Sequence, residues 1–82
     1  NFFHHYYLLS LINLIMAKIQ LNGKKVSIRA NLSILDLLKK YKLNNKKIAI
    51  EHNGKIIPSN NYKKKMLKNN DKLEIVQFIG GG

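Results

Sequence analysis

The sequence predicts an α+β domain in which one main helix packs across a mixed sheet of four to five strands. Three observations predict it. Two alternating apolar runs flank Asn22-Gly23, and one apolar stripe with helical spacing follows from Ile34 to Tyr41. A last alternating run from Lys72 to Ile79 then leads into Gly80-Gly81-Gly82. Eighty-two residues suffice for one small domain with a shallow core. A 45% hydrophobic fraction beside 23% charge is the composition of a folded chain, not a disordered one.

The hairpin comes first. Ala17, Ile19 and Leu21, then Val26, Ile28 and Ala30, recur at every second position, which gives each strand one buried face. Asn22-Gly23 between them is a strong short-range signal for a two-residue turn. The helix follows. Ser33 is its expected N-cap, and Asp36 three residues on resembles a capping box. Ile34, Leu37, Leu38 and Tyr41 fall at i, i+3, i+4 and i+7, a single stripe that should face the hairpin. Lys39, Lys40 and Lys42 sit where the helix dipole favours cations.

Beyond a polar loop, Ile48-Ala49-Ile50-Glu51 predicts a third strand, and its apolar start implies burial on both sides. Asn53-Gly54 predicts a second tight turn, with Lys55-Ile56-Ile57 as a short strand that Pro58 stops or places at an edge. His52, just before that turn, is expected on the surface without a role. Ser59 to Lys65 should make a helical turn, with Tyr62, Met66 and Leu67 closing the open end of the core. Asn69-Asn70-Asp71 is a turn cluster.

The last strand places Leu73 and Ile75 on one face and Val76 and Phe78 on the other. An apolar pair opposite the core face marks a surface on which a partner docks, or one covered by loops or by the N-terminal segment. Val76, Phe78 and Ile79 are therefore the candidate docking residues. Glycine lacks a Cβ, so Gly80, Gly81 and Gly82 can thread a narrow channel. Extended at about 3.3 Å per residue, Ile79 to Gly82 would carry the Gly82 carboxylate roughly 13 Å beyond the strand. That is enough to enter another protein's active site.

Residues that could perform catalysis within the chain are missing. There is no cysteine, which excludes thiolate catalysis, disulfides and cysteine-based metal sites. No Gly-rich phosphate loop precedes a lysine, and no Ser/His/Asp set is plausibly arranged. The four acidic residues, Asp36, Glu51, Asp71 and Glu74, each have a structural reading. No metal site is expected, since the adjacent His4 and His5 cannot face one ion from a helix.

The net charge of +11 invites a nucleic-acid hypothesis. Lys, Asn and Ile, however, make up 36 of the 82 residues, the pattern of A+T-rich coding sequence. Aromatic residues for base stacking are sparse in the domain, where Tyr41, Tyr62 and Phe78 are the whole set. The lysines are therefore expected to form a solvated surface, with no nucleic-acid partner. Residues 1–15 carry no formal charge and end just before Met16, where the patterned domain begins. They lack a basic n-region and a small-residue cleavage site, and the apolar run is too short to span a bilayer. We expect a dispensable extension at 1–15, a domain at 16–82, no membrane partner and a cytoplasmic location.

Hairpin, helix, short strands and a final strand running into a free tail describe a β-grasp, or ubiquitin-like, domain. Its residues resemble the ThiS family, the sulfur carrier proteins of thiamine biosynthesis. The resemblance rests on Ile19-x-Leu21-Asn22-Gly23, Ile34-x-x-Leu37-Leu38 and Ile48-Ala49-Ile50-Glu51-x-Asn53. It continues through Ile57-Pro58, Tyr62, Leu67, Asp71-Lys72-Leu73-Glu74-Ile75 and the terminal Gly81-Gly82. Three positions depart from the family pattern: Ser59 replaces a frequent arginine, Tyr62 a frequent tryptophan, and Asn70 the glycine of Gly-Asp.

The resemblance implies a carrier and not an enzyme. The Gly82 carboxylate would be adenylated by an E1-like adenylyltransferase of the ThiF type, which uses ATP and Mg²⁺; the chain itself would bind no cofactor. A sulfur donor such as a cysteine desulfurase would supply the sulfur of a thiocarboxylate, and thiazole synthase of the ThiG type would receive it. Another β-grasp sulfur carrier, of molybdopterin synthase or of tRNA thiolation, would share this tail. A lysine-conjugated ubiquitin-like modifier and a basic nucleic-acid-binding module are the more distant alternatives.

Overall fold

The computed structural model describes residues 7–8, 11 and 14–78. Strands β1 (Met16–Leu21) and β2 (Lys24–Arg29) pair antiparallel with Leu21 opposite Lys24, so Asn22 and Gly23 alone make the turn. Both have positive φ, 50° and 83°. That is the geometry whose twist matches the flanking strands, and it explains Asn-Gly at this place.

Helix α1 (Ile34–Lys40) starts where Ser33 Oγ accepts the Asp36 backbone N–H at 3.0 Å. Its Ile34, Leu37 and Leu38 are buried against the sheet. Tyr41, the last residue of the predicted stripe, caps the helix instead and is 42% exposed. The helix ends because Lys42 takes φ 56°. There the Lys42 N–H donates to the Lys39 carbonyl and the Leu43 N–H to the Leu38 carbonyl, at 3.1 and 2.9 Å. This is a Schellman closure with lysine where glycine is usual.

Strands β3 (Ile48–His52), β4 (Lys55–Ile57) and β5 (Lys72–Gln77) complete a five-stranded sheet in the order β2-β1-β5-β3-β4. β5 runs parallel to β1, and the other neighbours are antiparallel. The strand that returns beside β1 is thus the last one, and β3, which follows the helix, lies one place further out. The core joins Ala17, Ile19, Ile28, Ile48, Ile50 and Leu73 of the sheet to the helix stripe.

One helix covers one face of the sheet, and this corrects the reading of β3. Ile48, Ile50 and His52 are buried, while Ala49 and Glu51 on the opposite face are only half-buried. The run looked continuous because Ala49 happens to be apolar. At the end of the core, Ser59–Asn61 forms a 3₁₀ turn, and Tyr62 and Leu67 are buried as expected. Met66 is not, at 46% exposed. Its backbone bridges Ser33, which leaves its side chain toward solvent.

His52 is a second correction. It is buried, and its Nε2 lies 2.8 Å from Asp71 Oδ2. The same oxygen accepts the Lys68 backbone N–H at 2.8 Å, and Asp71 Oδ1 accepts from Asn53 Nδ2 at 3.1 Å. Asn53 Oδ1 in turn accepts the Lys72 N–H at 2.8 Å, so the β3–β4 turn is tied to the start of β5. Burial alone would raise the Asp71 carboxyl. Hydrogen bonds from His52, the Lys68 backbone and Asn53, with the charge on His52, outweigh it and hold the group below its ordinary value.

Candidate functional site at the root of the glycine tail

The tail is only as well aimed as the strand that carries it. β5 is an interior strand, held by β1 on one side and by β3 on the other. Asn22 adds a side-chain clamp. Its Oδ1 accepts the Ile75 N–H at 2.7 Å and its Nδ2 donates to the Ile75 carbonyl at 3.3 Å. Past the strand, the Phe78 N–H still donates to the Lys47 carbonyl at 2.8 Å. The backbone is therefore anchored through Phe78, the last described residue. Ile79, Gly80, Gly81 and Gly82 lie outside the described residues.

Strand alternation sends Leu73 and Ile75 toward the helix and Glu74 and Val76 to the outer face of the sheet. Val76 and Phe78 are each 59% exposed. Ala49 stands opposite Val76 in the β3–β5 register, and Ile56 of β4, 78% exposed, extends the apolar area to the sheet edge. Ala49, Ile50, Glu51, Ile56, Glu74 and Val76 line a shallow depression of ≈ 220 Å³.

Ala49, Ile56 and the two glutamates were missed in the sequence. Nothing local marks them, because strand register alone brings them beside Val76. The other half of the outer face is basic, with Lys18 on β1 and Lys25 and Arg29 on β2 all exposed. On the helix side, Leu21, Asn22, Tyr41, Leu43, Ile75 and Gln77 line a groove of ≈ 280 Å³.

The described residues contain no group of three or more His, Cys, Asp or Glu side chains placed to hold a metal ion. No helix among them is long and apolar enough to cross a membrane. Tyr7, Leu8, Leu11, Leu14 and Ile15 are helical and their side chains are exposed.

Residues 15–82 match the model of the ThiS family. The chain belongs to the ThiS family of sulfur carriers. It is 43% identical over 65 residues to the sulfur carrier protein ThiS of Bacillus subtilis, a match covering 78% of this chain and 98% of that protein. It is 37% identical over 65 residues to a thiazole synthase of Paramagnetospirillum magneticum. That match covers 79% of this chain but 20% of the synthase. The crystal structure of the thiamine biosynthesis protein ThiS from Geobacter metallireducens superposes with a TM-score of 0.69 at 25% identity, covering 79% of this chain and 99% of that one.

The departures from the ThiS pattern have local explanations. Asn70 takes φ 71°, a left-handed conformation that asparagine tolerates and that makes a glycine natural there. Tyr62 is 2% exposed, so it fills the end of the core as a larger aromatic would. Ser59 is exposed in the 3₁₀ turn and leaves the fold unaffected. In this ThiS-family chain the five-stranded sheet and helix α1 are thus in place, and the exposed pair Val76 and Phe78 stands at the end of β5.

Proposed function

We propose that this ThiS-family chain carries sulfur on the carboxylate of Gly82 and acts as a cosubstrate, with catalysis left to its partners. A carboxylate resists nucleophiles because it is negatively charged and would have to expel oxide. An E1-like adenylyltransferase, using ATP and Mg²⁺, would join the Gly82 oxygen to the α-phosphate and release pyrophosphate. Sulfide displaces AMP at the acyl carbon and leaves a thiocarboxylate directly. A cysteine desulfurase donor would attack as a persulfide, release AMP and form an acyl disulfide, which a thiol reductant then cleaves to the thiocarboxylate. Thiazole synthase is the acceptor, a partnership supported by the thiazole synthase that contains a segment similar to this chain.

In this reading Gly80 and Gly81 thread the enzyme channel, while Val76, Phe78 and Ile79 dock at its mouth. The observation that carries it is the exposed pair Val76 and Phe78 at the base of a glycine tail in a ThiS-family chain. An exposed apolar pair on an anchored strand favours contact with a second protein.

The test is intact-mass measurement after incubation with ATP, Mg²⁺, sulfide and the E1-like enzyme. Exchange of one oxygen for sulfur adds about 16 Da, the product expected of carboxylate activation. An unchanged mass alongside an enzyme active on another ThiS protein would overturn the reading.

A further inference from the structure

Two shallow hollows on the outer face share one wall. The apolar one, already described, is lined by Ala49, Ile50, Ile56 and Val76 together with Glu51 and Glu74. Beside it a notch of ≈ 60 Å³ is lined by the same Glu51 and Glu74, with Gly54 and Lys72. A Cβ on Gly54 would meet nothing within 4 Å, so the notch is open on that side. The two carboxylates stand on the ridge between a polar recess and an apolar one.

Their pairing is unfavourable for the isolated domain. Glu51 and Glu74 are directly opposite in the antiparallel β3–β5 register, and like charges so placed destabilise a sheet. The chain has 15 basic and only four acidic side chains, so facing two acids together is not for want of cations. On its other side Glu51 is opposite Ile56, and β4 places Lys55 opposite His52. Among the described residues, the lysine in salt-bridge range of the pair is Lys72, whose Nζ is 4.0 Å from Glu74 Oε1 with both side chains at least half exposed. A pair so placed is screened and weak.

We infer that Glu51 and Glu74 together receive a cationic side chain of the adenylating partner, an arginine lying beside an apolar residue. The inference rests on the carrier reading above. A guanidinium presents donors in a planar fork that can serve two carboxylates at once. Its apolar neighbour enters the depression between Ala49, Ile56 and Val76. The outer face then has a direction: basic at Lys18, Lys25 and Arg29, apolar and acidic toward β4. Docking the wrong way round sets like charge against like charge. One orientation is selected, and with it the direction in which the chain leaves Phe78.

The full chain and its E1-like enzyme provide the test, through ATP–pyrophosphate exchange and a direct affinity measurement. The Glu51→Gln/Glu74→Gln pair should raise the KM for the carrier about tenfold or more and weaken its salt dependence. The rate at saturating carrier should stay unchanged, and the Tm should equal or exceed that of the wild type because the repulsion is gone. Glu51→Lys/Glu74→Lys should raise KM further.

A KM and affinity within about twofold of wild type in the Gln pair would overturn the inference. A fall in saturating rate with KM unchanged would overturn it too. Failure of the carrier reading looks different: the wild type then supports no exchange at any concentration. In that case the affinity measurement still decides, since binding that ignores both glutamates refutes their role.

Discussion

Replacing Asp71 with asparagine tests the buried network that ties the β3–β4 turn to β5. Asp71 Oδ2 serves both His52 Nε2 and the Lys68 N–H at 2.8 Å, and Oδ1 serves Asn53 at 3.1 Å. Asparagine keeps one oxygen and turns an NH₂ toward a donor, so at least one partner in a part-buried site is left unpaired. An unsatisfied group of that kind costs about 1–3 kcal/mol, and 2 kcal/mol is the central expectation. For a domain of this size that is a fall in Tm of about 8–16 °C.

The dependence on pH identifies the group. Asp71 is held below its ordinary value when folded, so its charged form contributes stability above the unfolded value of about 3.9. That contribution is lost as the pH falls through the lower folded value. Urea midpoints of both proteins at neutral pH and through the acid range should therefore differ most at neutrality and converge below about pH 4. A gap that persisted unchanged into acid would refute the assignment, because the lost stability would not depend on the Asp71 charge.

The remaining expectations concern the core, the helix end, the N-terminal segment and the tail. Leu37→Ala or Leu38→Ala should each cost about 2–5 kcal/mol in denaturant unfolding, since both side chains are fully buried. Lys42→Gly should raise stability by about 1 kcal/mol, seen as a higher denaturant midpoint with unchanged slope, because glycine takes the left-handed angle without strain. Deleting residues 1–15 should leave cooperative unfolding and sulfur transfer intact. Among the described residues it removes the bond from the Ala30 N–H to the Ile15 carbonyl, worth about 1 kcal/mol, which circular dichroism melts would read. Phe78→Lys should weaken affinity for the adenylating enzyme with the melt unchanged, as the side chain is 59% exposed. Gly81→Leu, or one residue added after Gly82, should abolish pyrophosphate exchange at unchanged stability, because a misplacement of about 1 Å at the reacting carbon can cost on the order of a hundredfold.

Local chemistry made much of the fold legible in advance. Asn22-Gly23 and Asn53-Gly54 announced their turns because both positions of each require positive φ. Ser33 announced the helix start because its hydroxyl reaches the Asp36 N–H three residues on, and Ile34, Leu37 and Leu38 announced the buried face through their spacing. The alternation of Leu73 and Ile75 against Val76 and Phe78 marked the outer surface of β5 before any partner strand was known. Each is a property of residues within about five positions of one another, and the backbone geometry of a turn, a helix or a strand is set at that range.

Tertiary structure alone decided the rest, because the groups that meet are distant in the chain. His52 resembled a surface residue beside a turn, yet Asp71, 19 positions on, comes to its ring nitrogen only once β3 and β5 pair. Asn22 gives no sign that it will clamp Ile75, 53 positions away. Burial of β3 on one side instead of two follows because helix α1 covers only one face of the sheet. Glu51 and Glu74 had an ordinary reading each as strand residues. Only the antiparallel register sets them face to face beside Ala49, Ile56 and Val76. Which residues carry a given periodicity is written locally, but which strand lies beside which, and in what register, is settled by how the whole sheet buries its one apolar face.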